Sequence, residues 1–194
     1  MLARVGRMML PPPGGDVIGR RRVDTHFLAL AKLGARVESD DGYSLSTSGL
    51  KGADIFLDEP SVTATENAIM AAVMAKGHTR IRNAAAEPHV QDLCNMLVQF
   101  GARISGIGTG VLEFEGVDRL GGGRFHIGSD HIEVGSFIGL AAVTGGEILI
   151  KDAAIEHLDS TLLGFERMGI RCEKRGADLF VPAEQDRVVR TDIG

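Results

Sequence analysis

One pattern of apolar and polar positions ends in the same way three times along the chain. An amphipathic run is followed by a glycine and then by a short apolar stretch that carries arginine. The glycines are Gly34, Gly101 and Gly169, which are 67 and 68 residues apart (101 − 34 and 169 − 101). Glycine directly after an amphipathic run predicts a helix that ends in the left-handed conformation. The fixed period predicts duplicated units of about 67 residues.

Two other segments, residues 63–76 and 132–144, are apolar on every side of a helical projection. A capping box opens each of them, Thr63-x-x-Glu66 and Asp130-x-x-Glu133. A helix that is apolar all round needs burial on all sides. The sequence therefore predicts two buried helices with sheets outside them.

The complete unit is predicted as strand, buried helix, strand, amphipathic helix and two-stranded hairpin, a βαβαββ unit of an α/β fold. The second unit has every part, and the first has only a helix at 23–33 and a hairpin near Gly42. The third unit runs from about residue 124 to 182, after a predicted linker at residues 121–123. The parts of the second unit are strand 53–57, helix 63–76, strand 79–83, helix 88–100 and a hairpin of 102–105 with 111–115.

Composition narrows the class of protein. The 194 residues suffice for one large or two small domains, and with 44% hydrophobic but 5% aromatic residues the core must be aliphatic. A net charge of −5 argues against a nucleic-acid partner. Cys94 and Cys172 both lie in apolar segments, which favours a reducing compartment. No apolar run reaches membrane-spanning length, so we expect a cytoplasmic protein without a membrane partner.

Several familiar site patterns are excluded. The six histidines are scattered and have no metal-ligand spacing, so no zinc site is expected. The glycines of residues 106–110 lead into an alternating strand, whereas a phosphate loop leads into a helix, so a hairpin turn is predicted there. Cys94 lies on an apolar helix face and is interpreted as a core residue.

Residues 11–26 form the first segment that could carry chemistry. Three prolines and two glycines predict a loop that can change conformation, Asp16 lies on it, and three arginines follow before a helix begins. These arginines and a mobile acid would serve an anion site for a phosphorylated substrate that must be protonated. The plain alternative is a surface loop with solvated charges.

Residues 58–66 form the second segment, which leaves a strand and enters a buried helix. The backbone N–H groups of Val62, Thr63 and Ala64 and the Ser61 hydroxyl, aligned with the positive end of the helix dipole, could hold a phosphate. The plain alternative is simple N-capping, which is open to any Ser or Thr and which this segment alone favours.

Five motifs occur in an order that resembles the UDP-N-acetylglucosamine 1-carboxyvinyltransferase family of enolpyruvyl transferases. The resemblance covers essentially the whole chain, and the glycine-rich loop with its arginine run is its most specific part. The motifs are Pro13-Gly14-Gly15-Asp16-x-Ile18-Gly19, Arg21-x-Val23-Asp24-x-His26, Pro60-Ser61-Val62-x-Ala64-Thr65-Glu66-Asn67, Asn83-Ala84-Ala85-x-Glu87-Pro88 and Asp130-x-Ile132-Glu133-x-Gly135.

The resemblance implies an inside-out α/β barrel of six such units in two domains. Residues 1–123 would be the second half of the middle domain, and residues 124–194 part of a second, discontinuous domain. The implied reaction transfers the enolpyruvyl group of phosphoenolpyruvate to the 3-hydroxyl of UDP-N-acetylglucosamine, the first committed step of peptidoglycan synthesis. It needs no metal or organic cofactor.

The resemblance also implies residue roles. Asp16 would be the general acid that protonates the methylene carbon of phosphoenolpyruvate. Arg21 and Arg22 would bind phosphate or UDP-sugar. The uridine would be lined by Val23, Asp24 and Thr25, and the diphosphate held by Ser61, Val62 and Thr63 beside Glu59 and Pro60.

The chain departs from the family pattern at several positions. Asp16 stands where most members have Cys, and Glu59, Thr63 and Thr25 stand where Lys, Gly and Leu are frequent. The Lys-Asn pair, the general-base Asp and a further Arg of the family site have no counterpart here, so the isolated chain is expected to be an inactive fragment. A non-catalytic nucleotide-sugar-binding or regulatory paralogue and an enolpyruvyl transferase with another acceptor both stay open.

Overall fold

The computed structural model describes residues 1–14, 23–39 and 42–185. These residues fall into two compact units, Met1–His126 and Ile127–Gly194. No helix in the described part of the chain is both long and apolar enough to span a membrane.

A three-stranded antiparallel sheet lies at the start of the first unit, with the order β1-β3-β2. Its strands are β1 (Arg7–Leu10), β2 (Arg36–Ser39) and β3 (Tyr43–Ser46), and its helices are α1 (Leu2–Val5) and α2 (Asp24–Lys32). The β2–β3 hairpin and α2 confirm the predicted tail of the first repeat. The pattern did not predict α1 and β1, because the pairing of β1 with β3 joins segments more than 30 residues apart (Met8 faces Leu45).

A four-stranded sheet with the order β4-β5-β7-β6 carries the complete second repeat. Strands β4 and β5 are parallel, and α3 makes the crossover that a parallel pair requires. The turn at residues 106–110 joins β6 to β7, as predicted. The elements are β4 (Asp54–Phe56), α3 (Val62–Ala72), β5 (His78–Arg82), α4 (Pro88–Gln99), β6 (Arg103–Ser105) and β7 (Val111–Glu115).

The core of the first unit lies between this sheet and its helices. Alternate residues of the central strands point inward, and Ile81, Leu112 and Phe114 are at most 2% exposed. Helix α3 contributes Ala68 and Ile69, which are fully buried. The prediction of a buried helix here is confirmed for most of its surface.

The second unit contains the third repeat around a three-stranded antiparallel sheet with the order β8-β10-β9. Residues 116–147 are all described and contain no strand, so this repeat lacks the opening strand that β4 provides in the second. A single turn of 3-10 helix, Ile155–His157, precedes α6. The elements are α5 (His131–Thr144), β8 (Ile148–Ile150), α6 (Asp159–Arg167), β9 (Glu173–Arg175) and β10 (Asp178–Val181).

The prediction that α5 is buried all round is wrong for this chain. One side packs inward through Val134 and Ile138, but Leu140 is 53% and Val143 76% exposed. The sheet and α6 of this unit cover only one side of the helix. An all-apolar helix sequence indicates that every side of the helix needs apolar contacts, but it does not identify the residues that provide them.

Three glycines end the repeats in the same geometry. Gly34, Gly101 and Gly169 have φ of 94°, 102° and 77°. In each case the N–H of the next residue bonds to the carbonyl five positions before it, as from Ala102 to Leu97. The predicted glycine-closed helix ends are confirmed, since this left-handed conformation favours glycine.

The helix starts confirm one predicted cap and correct the other. Asp130 caps α5 through Oδ1, 2.8 Å from the N of Ile132. Helix α3 is capped by Ser61, not by Thr63, because Ser61 has the extended backbone of an N-cap and its Oγ lies 3.3 Å from the N of Ala64.

Two glycines approach the link between α3 and β5 very closely. The Gly52 N–H bonds to the Lys76 carbonyl at 2.8 Å, and the Gly116 N–H bonds to the Gly77 carbonyl at 3.0 Å. A Cβ on Gly52 would lie 2.1 Å from the His78 carbonyl oxygen, and one on Gly116 would lie 1.7 Å from that of Ala75. Only glycine fits at either position.

Candidate functional site

The predicted uridine residues Val23–Thr25 and the predicted diphosphate segment of residues 58–66 meet where α2 packs against α3. Val23 is the N-cap of α2 and Asp24 its first residue. The loop of Glu59 and Pro60 leads into the start of α3. Asp16, Arg21 and Arg22 lie outside the described residues, so their roles stay predictions.

A buried hydroxyl connects the two segments. Thr25 is 1% exposed, and its Oγ1 donates a hydrogen bond of 2.7 Å to Oδ1 of Asp58, which follows β4. Bonds from a neutral donor to a carboxylate are stronger than neutral ones. The Thr25 side chain therefore holds the loop in place instead of presenting itself to solvent.

The first turn of α3 is arranged as an N-terminus that could receive an anion. Ser61 Oγ accepts from the Ala64 N–H, so Ala64 is not one of the open donors that the sequence predicted. The Ser61 carbonyl accepts from Thr65 Oγ1 at 2.7 Å, and that hydroxyl accepts from the Ala85 N–H at 3.0 Å. An approaching anion would meet the Ser61 O–H and the first N–H groups of the helix at its positive end.

A histidine from α2 contacts this turn. His26 Nε2 lies 3.3 Å from Thr63 Oγ1, and Nδ1 of the same ring lies 3.3 Å from Nδ2 of Asn67. Thr63 and Asn67 are four residues apart, so they share one face of α3. Thr63 itself is exposed to solvent.

The surroundings of His26 favour its neutral form. Burial lowers the pKa of His26 below its ordinary value, and the Glu59 carboxylate opposes that shift in part. His26 and Asn67 line a cavity of about 260 Å³, whose other lining residues, such as Met8 and Phe27, are mainly apolar. An imidazole beside such a wall is poorly solvated, which disfavours the charged form.

The sequence alone predicts no role for Asp58, His26 or Asn67. His26 and Asn67 each close a motif quoted above, and the spacing from Thr63 to Asn67 places both on one helix face. That spacing was the available signal, but the contact with α2 is a tertiary one. Within residues 1–14, 23–39 and 42–185, no group of three or more His, Cys, Asp or Glu side chains could hold a metal ion.

Comparisons with known proteins cover the whole chain. Residues 1–193 match the family described as EPSP synthase (3-phosphoshikimate 1-carboxyvinyltransferase). The chain is 58% identical over 194 residues to a UDP-N-acetylglucosamine 1-carboxyvinyltransferase of Bradyrhizobium diazoefficiens, and 56% identical to one of Treponema denticola. All of this chain is covered in both cases, but it spans 45% and 46% of those proteins.

Solved structures agree at the level of the fold. The enolpyruvyl transferase NikO from Streptomyces tendae matches 93% of this chain and 44% of its own, with a TM-score of 0.72 and 18% identity. An EPSP synthase from Acinetobacter baumannii matches 91% of this chain and 42% of its own, with a TM-score of 0.65 and 20% identity. The α/β fold of enolpyruvyl transferases is thus confirmed, and the chain belongs to the EPSP synthase (3-phosphoshikimate 1-carboxyvinyltransferase) family.

Proposed function

We propose that this chain is part of an enzyme that transfers the enolpyruvyl group of phosphoenolpyruvate to the 3-hydroxyl of UDP-N-acetylglucosamine. This is the first committed step of peptidoglycan synthesis, and it serves cell-wall growth, cell shape and division. One observation carries the proposal: the 58% identity to a protein of that name extends over all 194 residues. The chain spans 45% of that protein, so the activity is proposed for the longer protein.

The architecture that we propose places residues 1–123 in the middle domain and residues 124–194 in a second, discontinuous domain. Six units would form an inside-out barrel with helices like α3 at its centre. The three glycine-closed helix ends at Gly34, Gly101 and Gly169 support this duplication. The enzyme would act in the cytoplasm on soluble substrates, without a metal, an organic cofactor, a nucleic acid or a membrane partner.

The chemistry that we propose begins at Asp16. Its carboxyl gives a proton to the methylene carbon of phosphoenolpyruvate, while the sugar 3-hydroxyl bonds to the neighbouring carbon and loses its own proton to a base supplied by the rest of the protein. A proton of the new methyl group then passes to a base in the completed site as the carbon–oxygen bond to phosphate breaks, which restores the carbon–carbon double bond as an enol ether and releases phosphate. Asp16 must start protonated, which burial and nearby anions favour.

Binding of the UDP-sugar would use the site between α2 and α3. The diphosphate would lie at the start of α3, against Ser61, Val62 and Thr63, and Arg21 and Arg22 would add positive charge. Val23 and Asp24 would line the uridine. We assign Thr25 to holding the loop of Glu59 and Pro60 through Asp58, because its hydroxyl is buried in that bond.

Phosphate release by the full-length protein tests this proposal, with phosphoenolpyruvate and either UDP-N-acetylglucosamine or shikimate 3-phosphate as acceptor. We expect turnover with the UDP-sugar and a loss of about 10²–10⁴-fold in Asp16→Asn, the usual cost of removing a positioned acid. Turnover with shikimate 3-phosphate alone would establish another acceptor. Binding of UDP-sugar without turnover would establish a non-catalytic paralogue. The 194-residue chain alone is expected to show no turnover.

A further inference from the structure

We propose that His26 and Asn67 are positioning residues that make the Thr63 hydroxyl a hydrogen-bond donor to the UDP-sugar diphosphate. The proposal rests on the function proposed above. It assigns His26 and Asn67 a part in the site through Thr63, without contact between either residue and the substrate.

The direction of the hydrogen-bond chain follows from the donors available. With the Asn67 amide placed so that Nδ2 faces the ring, that group donates and Nδ1 of His26 at 3.3 Å accepts. A neutral imidazole that accepts at Nδ1 carries its proton on Nε2. That proton is then donated to Thr63 Oγ1, also at 3.3 Å.

The Thr63 hydroxyl then accepts the His26 Nε2 proton through one of its lone pairs. Its own proton remains to be given elsewhere, and the Thr63 side chain is exposed at the start of α3. A diphosphate oxygen at that helix end is an acceptor with negative charge, the strongest type of partner for such a proton. Asn67, His26 and Thr63 thus form a chain of donors that ends on the ligand.

The position of Thr63 explains why this contact is specific to the present sequence. Thr63 is one of the positions at which the chain departs from the glycine frequent in the family pattern. A glycine has no hydroxyl to receive the His26 proton. Glu59, whose charge reaches His26, replaces a frequent lysine at the same site, so an added neutral donor would offset part of the lost attraction for the diphosphate.

The test measures steady-state constants of the full-length enzyme for both substrates. Thr63→Val, which removes the hydroxyl and keeps the shape, should raise KM for UDP-N-acetylglucosamine about 10-fold, the low end for a bond to a charged group at an exposed site. The KM for phosphoenolpyruvate should stay within about twofold. Thr63→Ser should restore the wild-type KM for UDP-N-acetylglucosamine. Thr144→Val, which removes an exposed hydroxyl from α5, is the matched control.

Variants of His26 test the chain itself. His26→Gln places an amide donor near the position of Nε2 and should keep most of the affinity, whereas His26→Asn cannot reach Thr63 and should match His26→Ala. In a double-mutant cycle, His26→Ala should add little to Thr63→Val, because both remove the same bond. Additive losses would overturn the proposal.

A spectroscopic measurement is independent of folding defects in the variants. Nitrogen NMR of ring-labelled histidine in the unliganded enzyme should show His26 protonated on Nε2 and bare on Nδ1. A ring protonated on Nδ1 would overturn the proposal, because Thr63 would then donate to the ring. If the wild-type enzyme neither binds nor converts the UDP-sugar, the proposed function fails and this inference with it. If it does both and Thr63→Val leaves KM unchanged, the inference alone fails.

Discussion

Thr25 Oγ1 donates to Asp58 Oδ1 across 2.7 Å, although the two residues are 33 positions apart in the chain. The bond ties the first turn of α2 to the loop that leads into α3. The start of α2 and the loop of residues 58–60 are thereby held together before any ligand binds.

Thr25→Val should lower the free energy of unfolding by about 0.5–1.5 kcal/mol, because the bond from the buried Thr25 hydroxyl is lost while water can still solvate the exposed Asp58 carboxylate. The urea midpoint of the full-length protein measures the change. Thr25→Ser keeps the hydroxyl and is the control, with a smaller loss from the missing methyl group. An unchanged midpoint in Thr25→Val would show that the bond adds nothing to stability.

Stability should depend on pH through His26. Burial lowers its pKa in the folded state below the ordinary value of 6.5, so between those two values the unfolded state binds more protons. The contribution of neutral His26 to the free energy of unfolding is fully present above about pH 6.5, and it is lost as pH falls through the lowered pKa. The difference in unfolding free energy between wild type and His26→Gln should show this slope. The exposed His78→Gln is the control, and a difference that is flat from pH 4 to 8 would contradict the assignment.

The full-length protein should resist fosfomycin. The drug alkylates a nucleophilic thiolate in the catalytic loop of the family that this chain resembles, and under the loop assignment proposed above Asp16 would offer a carboxylate in its place. Cys94 cannot substitute, since it is 1% exposed. Asp16→Cys should confer sensitivity, read as a covalent adduct by mass spectrometry. Inactivation of the unmodified enzyme by an adduct in this loop would refute the loop assignment.

Cys94 should react slowly with thiol reagents in the native protein. Burial raises its pKa from 9.0 to about 11, which lowers the thiolate fraction about 100-fold at neutral pH before access is considered. Rates with a disulfide reagent, compared between Cys94→Ala and Cys172→Ala variants, separate the two thiols. Cys172, which is half-buried, should react faster. Full and equal reactivity in urea provides the reference.

The exposed side of α5 should make the isolated 194-residue chain associate. Phe137 is 45% and Val143 76% exposed, and contiguous apolar patches of this kind drive association. Phe137→Lys with Val143→Lys should shift the sedimentation profile toward monomer and leave the unfolding midpoint nearly unchanged. Ser136→Lys, on the same helix, controls for added charge. Equal association of all variants would place the contact elsewhere.

Much of the fold could be predicted from local sequence patterns. The three helix ends at Gly34, Gly101 and Gly169 could be predicted because left-handed termination depends on a single residue type. The hairpins followed from alternation within short segments. The β1–β3 pairing and the exposure of α5 could not be predicted, since both depend on which other segments are neighbours in space.

The site was predictable to the same extent. The motifs identified the segments of Val23–Thr25 and Ser61–Thr63 as neighbours in function. They did not reveal that Thr25 is buried against Asp58, or that His26 reaches Thr63 and Asn67 across 37 and 41 positions. Side-chain contacts of that range are decided by how α2 packs on α3.

Gly52 and Gly116 restrict the substitutions that this sequence can accept. A side chain at either position would collide with a backbone carbonyl, and no rotamer change moves a carbonyl away. A saturation scan should therefore tolerate no substitution at these two positions, even though neither belongs to the site. The same contacts fix the length of the link from Ala75 to His78, because an inserted or deleted residue would withdraw the carbonyls that both glycine N–H groups use. Related sequences should keep this joint without gaps.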